Sequence, residues 1–465
     1  MNSSNRVKGI GNLIAEGSDG SSESEYGDGA GGRIAFYYDT YGATFSTISV
    51  AGATGGSGTD GENGTIYGLN PSSDIIYPEQ DSVINSLSKV NGTAVSYVGN
   101  LQDVKIMIND SSNGNCWNGG SWISSCSWTS VSQNPDWETW QYTSISGDNL
   151  EHDHNYSVFS RAEDDSSYPI QSNPTQVDFV FDIIGPNVSI TSIDDNGYYN
   201  NSYLSSLTGT AEDDGRAGIS SVYLAIKDTT AGTWYDGSLW DESSRTWLEA
   251  SGTSSWSLGL SNLEHGHVYR ASMRAIDNSG NEKIMNENVS FTMWDGLMIR
   301  DDLDLSENTY EYSNVLVYNG AVLNISGGSV IDITGDFYII ENSEVIPRGK
   351  NTQTTDQGEG VNFTVGGDFY LESGSSINAN EQGYQGGRIE EQDGYGPGGG
   401  SGGSGNYYKG AGGGAGHAGV GGTSNGGDSG GGFYGSKQSP ITLGSGGGHG
   451  DGYSEGVAGD GGGAI

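Results

Sequence analysis

Two stretches of this chain repeat one another, and a repeat of that length forces the middle of the molecule into two copies of one fold. The segment LEHDHNYSVFSRAED, from Leu150 to Asp164, matches LEHGHVYRASMRAID, from Leu263 to Asp277, at an offset of 113 residues (263 − 150). Upstream, NGTAVS from Asn91 matches TGTAED from Thr208 at an offset of 117. Each copy holds a GTA strand, an apolar strand (VKIMIND or VYLAIKD), a Trp-rich hairpin, and a Tyr strand ending in Arg-Ala. Short strands of period two, in a unit of that size, predict an immunoglobulin-like β-sandwich over 71–183 and another over 184–296.

The flanks follow a different rule. From Asn314 come short apolar runs (NVLVYNG, AVLNISGG, SVIDITG, DFYIIENSEVIPRG), each bounded by Gly, Asn or Ser. Strands so short at one period predict a β-solenoid, in which a rung buries its apolar face only against its neighbours. Beyond Gln382 the pattern dissolves into glycine, about two-fifths of residues 381–465. Glycine without a collagen period is read as polyglycine-II-like segments stacked at close approach on the solenoid flank, with ordinary long loops as the alternative. Residues 1–70 share this grammar, with GGRIAFYY as a strand between Gly-rich excursions. The expected fold is therefore all-β: two sandwiches between residues 1–70, which complete a Gly-rich parallel β-helix, and residues 297–465, which begin one. The seam from Ile465 to Met1 would close within the chain, between chains head to tail, or by permutation of a tandem array.

Acidic residues outnumber basic ones by 41 (59 − 18), which excludes nucleic acid and anionic surfaces as natural partners. No apolar run of about twenty residues exists to span a membrane. Nor is there a basic, apolar leader, so secretion would require sequence before Met1 or a mature segment. Cys116 and Cys126, ten residues apart across a Gly-Gly turn, suit a hairpin disulfide and an oxidising compartment, with two reduced thiols as the alternative. Sequons begin at Asn91, Asn155, Asn187, Asn324 and Asn362.

The GTA strands, the ending RAIDNSGN from Arg274 to Asn281, and the joint FDIIGPNVSITSI resemble the Ig-like modules repeated in very large bacterial and archaeal cell-surface proteins. The first copy departs from that ending with RAEDDSSY, and Gly185-Pro186 stands where such joints carry Pro-Pro. The Gly-rich flanks resemble the β-helical segments of similar giant proteins. The resemblance implies an extracellular location and a structural role, and its motifs carry no chemistry.

In a sandwich of this topology the loops after the GTA and Tyr strands emerge beside the incoming linker. For the second copy this gathers Asp182 with Glu212, Asp213, Asp214, Asp277 and Asn278, hard oxygen donors of the kind calcium takes. A solvated acidic rim is the plain alternative, and no other cofactor is expected. The HxH pairs His152/His154 and His265/His267 lack a recurring acidic or Cys partner in sequence, which argues against a metal site there. Tyr156 and Tyr269 are expected as corner tyrosines. No GxSxG, HExxH or phosphate loop occurs, and the basic residues of the flank (Arg348, Lys350, Arg388, Lys409, Lys437) are scattered among acids, so no catalytic residue is assigned and the chain is expected not to be an enzyme.

The expected function is a repeat or subunit of an extracellular filament or stalk, polymerising with itself head to tail. A glycan-binding adhesin using the ten tryptophans, all between Trp117 and Trp294, is the alternative. A β-helical polysaccharide-degrading enzyme is the third.

Overall fold

Alternation of buried and open side chains sets the central strands. In Leu101–Asp110, Val104, Ile106 and Ile108 are buried; in Ile219–Asp228, Val222, Leu224 and Ile226 are. The computed structural model describes the chain apart from residues 1–5, 20–27, 36–39, 55–59, 63, 68–70, 97–99, 134–136, 138, 166–171, 355–357, 404–409, 426–427, 437, 439–440, 452–456 and 465. It is all-β, and among the described residues no helix is long and apolar enough to cross a membrane.

Each central strand pairs antiparallel with its Tyr strand in the same register, Tyr156 opposite Asp110 and Tyr269 opposite Asp228. A second sheet faces each: Ser132–Gln133, Thr139–Tyr142, Val90–Val95 and Ser72–Tyr77 in the first copy; Asn187–Ile190, Ser206–Glu212, Ser255–Gly259 and Ser251–Gly252 in the second. Both copies also place a three-residue strand parallel to their last strand, Ser82–Ile84 on Thr175–Phe181 and Gly197–Tyr199 on Glu282–Met293. Between the sheets lie two separate apolar cores.

The third region is built from parallel ladders in register. Leu297–Ile299, Val315–Val317, Phe337–Ile339 and Phe369–Leu371 form one sheet; Leu303–Leu305, Val322–Ile325, Glu344–Pro347 and Ser376–Ile377 a second; Thr309–Tyr312, Val330–Ile333 and Asn362–Val365 a third. The chain visits the three in turn, so residues at one ladder position stack in columns with a shared core. Gly-rich segments then run beside one another, bonded between segments: Gly383 N to Gly461 O, Gly413 N to Ser401 O, Gly431 N to Gly414 O. A Cβ on Gly400, Gly412 or Gly461 would overlap a neighbouring carbonyl, so only glycine permits this approach.

At the other end, Arg6–Ile14 pairs parallel with Thr40–Ser49, and Arg33–Ala35 with Thr65–Tyr67. The seam expected between Ile465 and Met1 lies outside the described residues.

Candidate metal centre

Three backbone elements meet at the joint between the sandwiches. Asp182 leaves Thr175–Phe181 and opens the linker; its Oδ1 accepts from Ile184 N at 3.1 Å and its Oδ2 from Ala217 N at 3.4 Å. Asp213 starts the loop after Ser206–Glu212, and its Oδ2 accepts from Gly218 N at 2.8 Å. Gly215 lets that loop close over Asp182, since a Cβ there would overlap the carboxylate. Asp277 ends the Tyr strand, and its Oδ1 accepts from Ser279 Oγ and Asn281 N, both at 2.8 Å.

One carboxylate oxygen from each of Asp182, Asp213 and Asp277 lies within 4.8 Å of the others. Asp182 and Asp277 are buried, at 0% and 2% exposure. Burial pushes the Asp182 carboxyl above its usual range, and the Asp213 charge pushes it the same way, against hydrogen bonds from Ile184 and Ala217 and the nearby His152. Asp213 Oδ1 is buried and has no hydrogen-bond partner. Buried carboxylates this close repel unless a cation or proton intervenes. The nearest arginine of the loop, Arg216, turns outward to Asp153 at 3.1 Å and Asn155 at 2.8 Å. An all-oxygen acidic set with an orphaned buried oxygen fits a hard divalent cation, calcium above all.

Of the six residues expected here, three converge. Glu212 is exposed and pairs with Asn187 across the ladder, because the strand runs one residue further than the loop reading assumed. Asp214 is exposed as well. Asn278 donates its Nδ2 to Ala217 O at 2.8 Å, which holds the loop's shape. Asn281 was missed: its Nδ2 donates to Asp277 Oδ2 at 2.9 Å and to the Asp182 carbonyl at 2.9 Å. The signal was present in NSGN, which the first copy replaces with DSSY.

The histidines divide by position, and here the structure corrects the expectation that no acid recurs beside them. His154 meets buried Asp110 at 2.8 Å and His267 meets buried Asp228 at 2.6 Å, with Glu151 and Glu264 on their other nitrogens. The aspartates come from a neighbouring strand, at sequence distances no spacing rule exposes, whereas Glu151 and Glu264 recur three residues before their histidines in both copies. His152 and His265 face the joints instead, His152 toward Asp182 at 3.3 Å and His265 accepting from Asp295 N at 2.9 Å. Tyr156 and Tyr269 accept from Glu151 N and Glu264 N, each at 2.8 Å, in the corner arrangement.

Cys116 and Cys126 form a disulfide with Cα atoms 5.1 Å apart. Trp117, Trp140, Trp234, Trp256 and Trp294 are buried, which removes them from any glycan-facing surface. Among the sequons, Asn187 and Asn362 are exposed, Asn91 is half-buried, and the Asn155 and Asn324 amide oxygens are held by Arg216 and Arg348.

No family model matches the chain, and no curated protein matches it. The fibronectin(III)-like modules of Clostridium thermocellum CbhA match 48% of this chain and 93% of their own at 16% identity and a TM-score of 0.25. Chicken CNTN1 FN1-FN3 domains match 50% and 75% at 14% identity and a TM-score of 0.22. A structure described for host cell surface retention of a 1.5-MDa bacterial ice-binding adhesin matches 52% and 71% at 13% identity and a TM-score of 0.26. Likenesses this weak carry no argument about the activity or partners of this chain.

Proposed function

We propose that this chain is a structural unit of an extracellular filament or stalk, joined to further copies by continuing its parallel ladder. The three-sheet region is read as a β-solenoid flanked by polyglycine-II-like segments, and the sandwiches as spacers. One observation carries the reading. Along the inner column, Val315 and Phe337 are 2% and 1% exposed, but Phe369 above them is 49% exposed. Val317 and Ile339 are both 0% exposed, and Leu371 above them is 42%. Side chains that face a core on every lower rung are left uncovered on the last, beside strand edges that end their sheets.

The N-terminal parallel pairs step along the sequence much as the last rung of the stack does, though its earlier steps, Leu297 to Val315 and Val315 to Phe337, are shorter. Paired residues are 34 apart for Arg6 and Thr40 and 32 for Arg33 and Thr65; the last step of the stack, Phe337 to Phe369, is also 32. The Cys116–Cys126 disulfide favours an oxidising, extracellular setting. A calcium ion between Asp182, Asp213 and Asp277 would tie linker, loop and strand end together and stiffen the joint.

Light scattering after size exclusion, with negative-stain imaging, tests assembly. End-to-end oligomers growing with concentration are expected; a monodisperse monomer at high micromolar concentration, imaged as single particles, overturns the reading.

A further inference from the structure

A cleft of about 340 Å³ opens where the second sandwich meets the parallel sheets. One wall is the loop 191–197 with Tyr198; the other is a set of corners from a single sheet. Arg300 follows Leu297–Ile299, Tyr318 and Asn319 follow Val315–Val317, and Glu341 follows Phe337–Ile339. Because those strands are parallel and in register, their corners stack in a column along one edge.

The rings of Tyr198 and Tyr318 lie 5.6 Å apart at 58°, and both pack on the buried cluster of Trp294, Leu316 and Ile340. That floor fixes the rings. Their hydroxyls form no hydrogen bond with a described residue, and Arg300 forms no ion pair with one. Arg245 and Arg348 meet amide oxygens, of Asn286 and Asn324, where Arg161, Arg216, Arg270, Arg274 and Arg388 meet carboxylates. Glu341 uses one oxygen, accepting from Asn319 N at 3.0 Å.

Aromatic rings held on that floor, two phenol hydroxyls and a guanidinium that are unpaired among the described residues, and the Asp194 and Asp195 carboxylates on the loop wall match the chemistry of a pyranose. Its C–H face stacks on rings, and its neighbouring hydroxyl pairs bridge planar charged groups. The volume falls at the low end of the roughly 300–1,000 Å³ of small-ligand clefts. Asp194, Asp195 and Glu341 line the same cleft against one arginine, on a chain of net charge −41, so a carboxylated sugar is repelled. We propose that this cleft is a binding site for a neutral saccharide, with Tyr198 and Tyr318 as the stacking faces and Arg300 as the hydroxyl-binding group.

The site is independent of filament assembly, so either can fail alone. Calorimetric titration of the full chain with lactose, cellobiose and N,N′-diacetylchitobiose, and with digalacturonate as the anionic control, tests it. At least one neutral disaccharide should bind, and Arg300→Ala, which removes an exposed side chain, should weaken binding about tenfold. Tyr318→Ala should weaken it further; because that ring also packs at the joint, Tyr318→Phe is the folded check and should cost only the hydroxyl's few-fold share. No binding by any neutral probe, equal binding by Arg300→Ala, or a preference for digalacturonate would overturn the proposal.

Discussion

Gly209 lies directly opposite Trp256 in the ladder, under the indole ring, as Gly92 lies opposite Trp140 in the first sandwich. A Cβ at either glycine would overlap both the ring and a strand carbonyl, of Ser189 or Asp74. The glycine of the GTA motif is therefore the seat of a buried tryptophan. Gly209→Ala should cost about 1–3 kcal/mol through forced displacement of the ring and strand. Calorimetric melting should show the loss, while Gly259→Ala, whose Cβ would meet nothing within 4 Å, should melt near the wild type.

Calcium should raise the melting temperature of the second sandwich. Binding only to the folded state stabilises by RT ln(1 + [L]/Kd), about 2.7 kcal/mol at a hundredfold excess over Kd. Asp213→Asn should abolish the shift at small cost to the metal-free protein, because Asp213 is only half-buried and its one hydrogen bond is to Gly218 N. A calcium-induced shift unchanged in Asp213→Asn, or absent from the wild type, would leave the acidic trio without a bound cation.

The corner tyrosines give a pH dependence of fixed sign. Burial raises the phenols of Tyr156 and Tyr269 to about 12 from 10, with nearby acids adding to the effect against their hydrogen bonds from Glu151 N and Glu264 N. A group raised in the fold contributes stability that is whole below its unfolded value and lost as pH climbs to the folded one. Each sandwich should thus lose about 2 kcal/mol between pH 10 and 12. Melting from pH 8 to 11.5 checks this: Tyr269→Phe should lose about 1 kcal/mol at pH 8 for its hydrogen bond and fall less steeply above pH 10.

The sandwiches were legible because duplication and period-two burial are written locally, in RAED and RAID or VKIMIND and VYLAIKD. The metal candidate was half legible. Topology gathers strand ends, so Asp182, Asp213 and Asp277 followed from it; which neighbours turn inward depends on strand length and on Gly215, and Glu212 and Asp214 turned out. The Asp110–His154 and Asp228–His267 pairs were invisible, since cross-strand partners depend on a register that no spacing encodes. The Tyr198–Tyr318 contact was equally hidden, because it joins two folds.

Assembly through the open rung can be tested with one side chain. Leu371 sits over Ile339 in the inner column but is 42% exposed, so a charge there meets water in the monomer and a core in the polymer. Leu371→Asp should leave the melting temperature nearly unchanged, as surface substitutions do, within about 0.5 kcal/mol. The same change should abolish end-to-end oligomers, because an inward charge on an edge strand blocks further pairing. Copies carrying 41 excess negative charges also repel one another, so wild-type assembly should accelerate as salt is raised from low ionic strength. Oligomers that persist in Leu371→Asp would place the contact between copies somewhere other than the ladder.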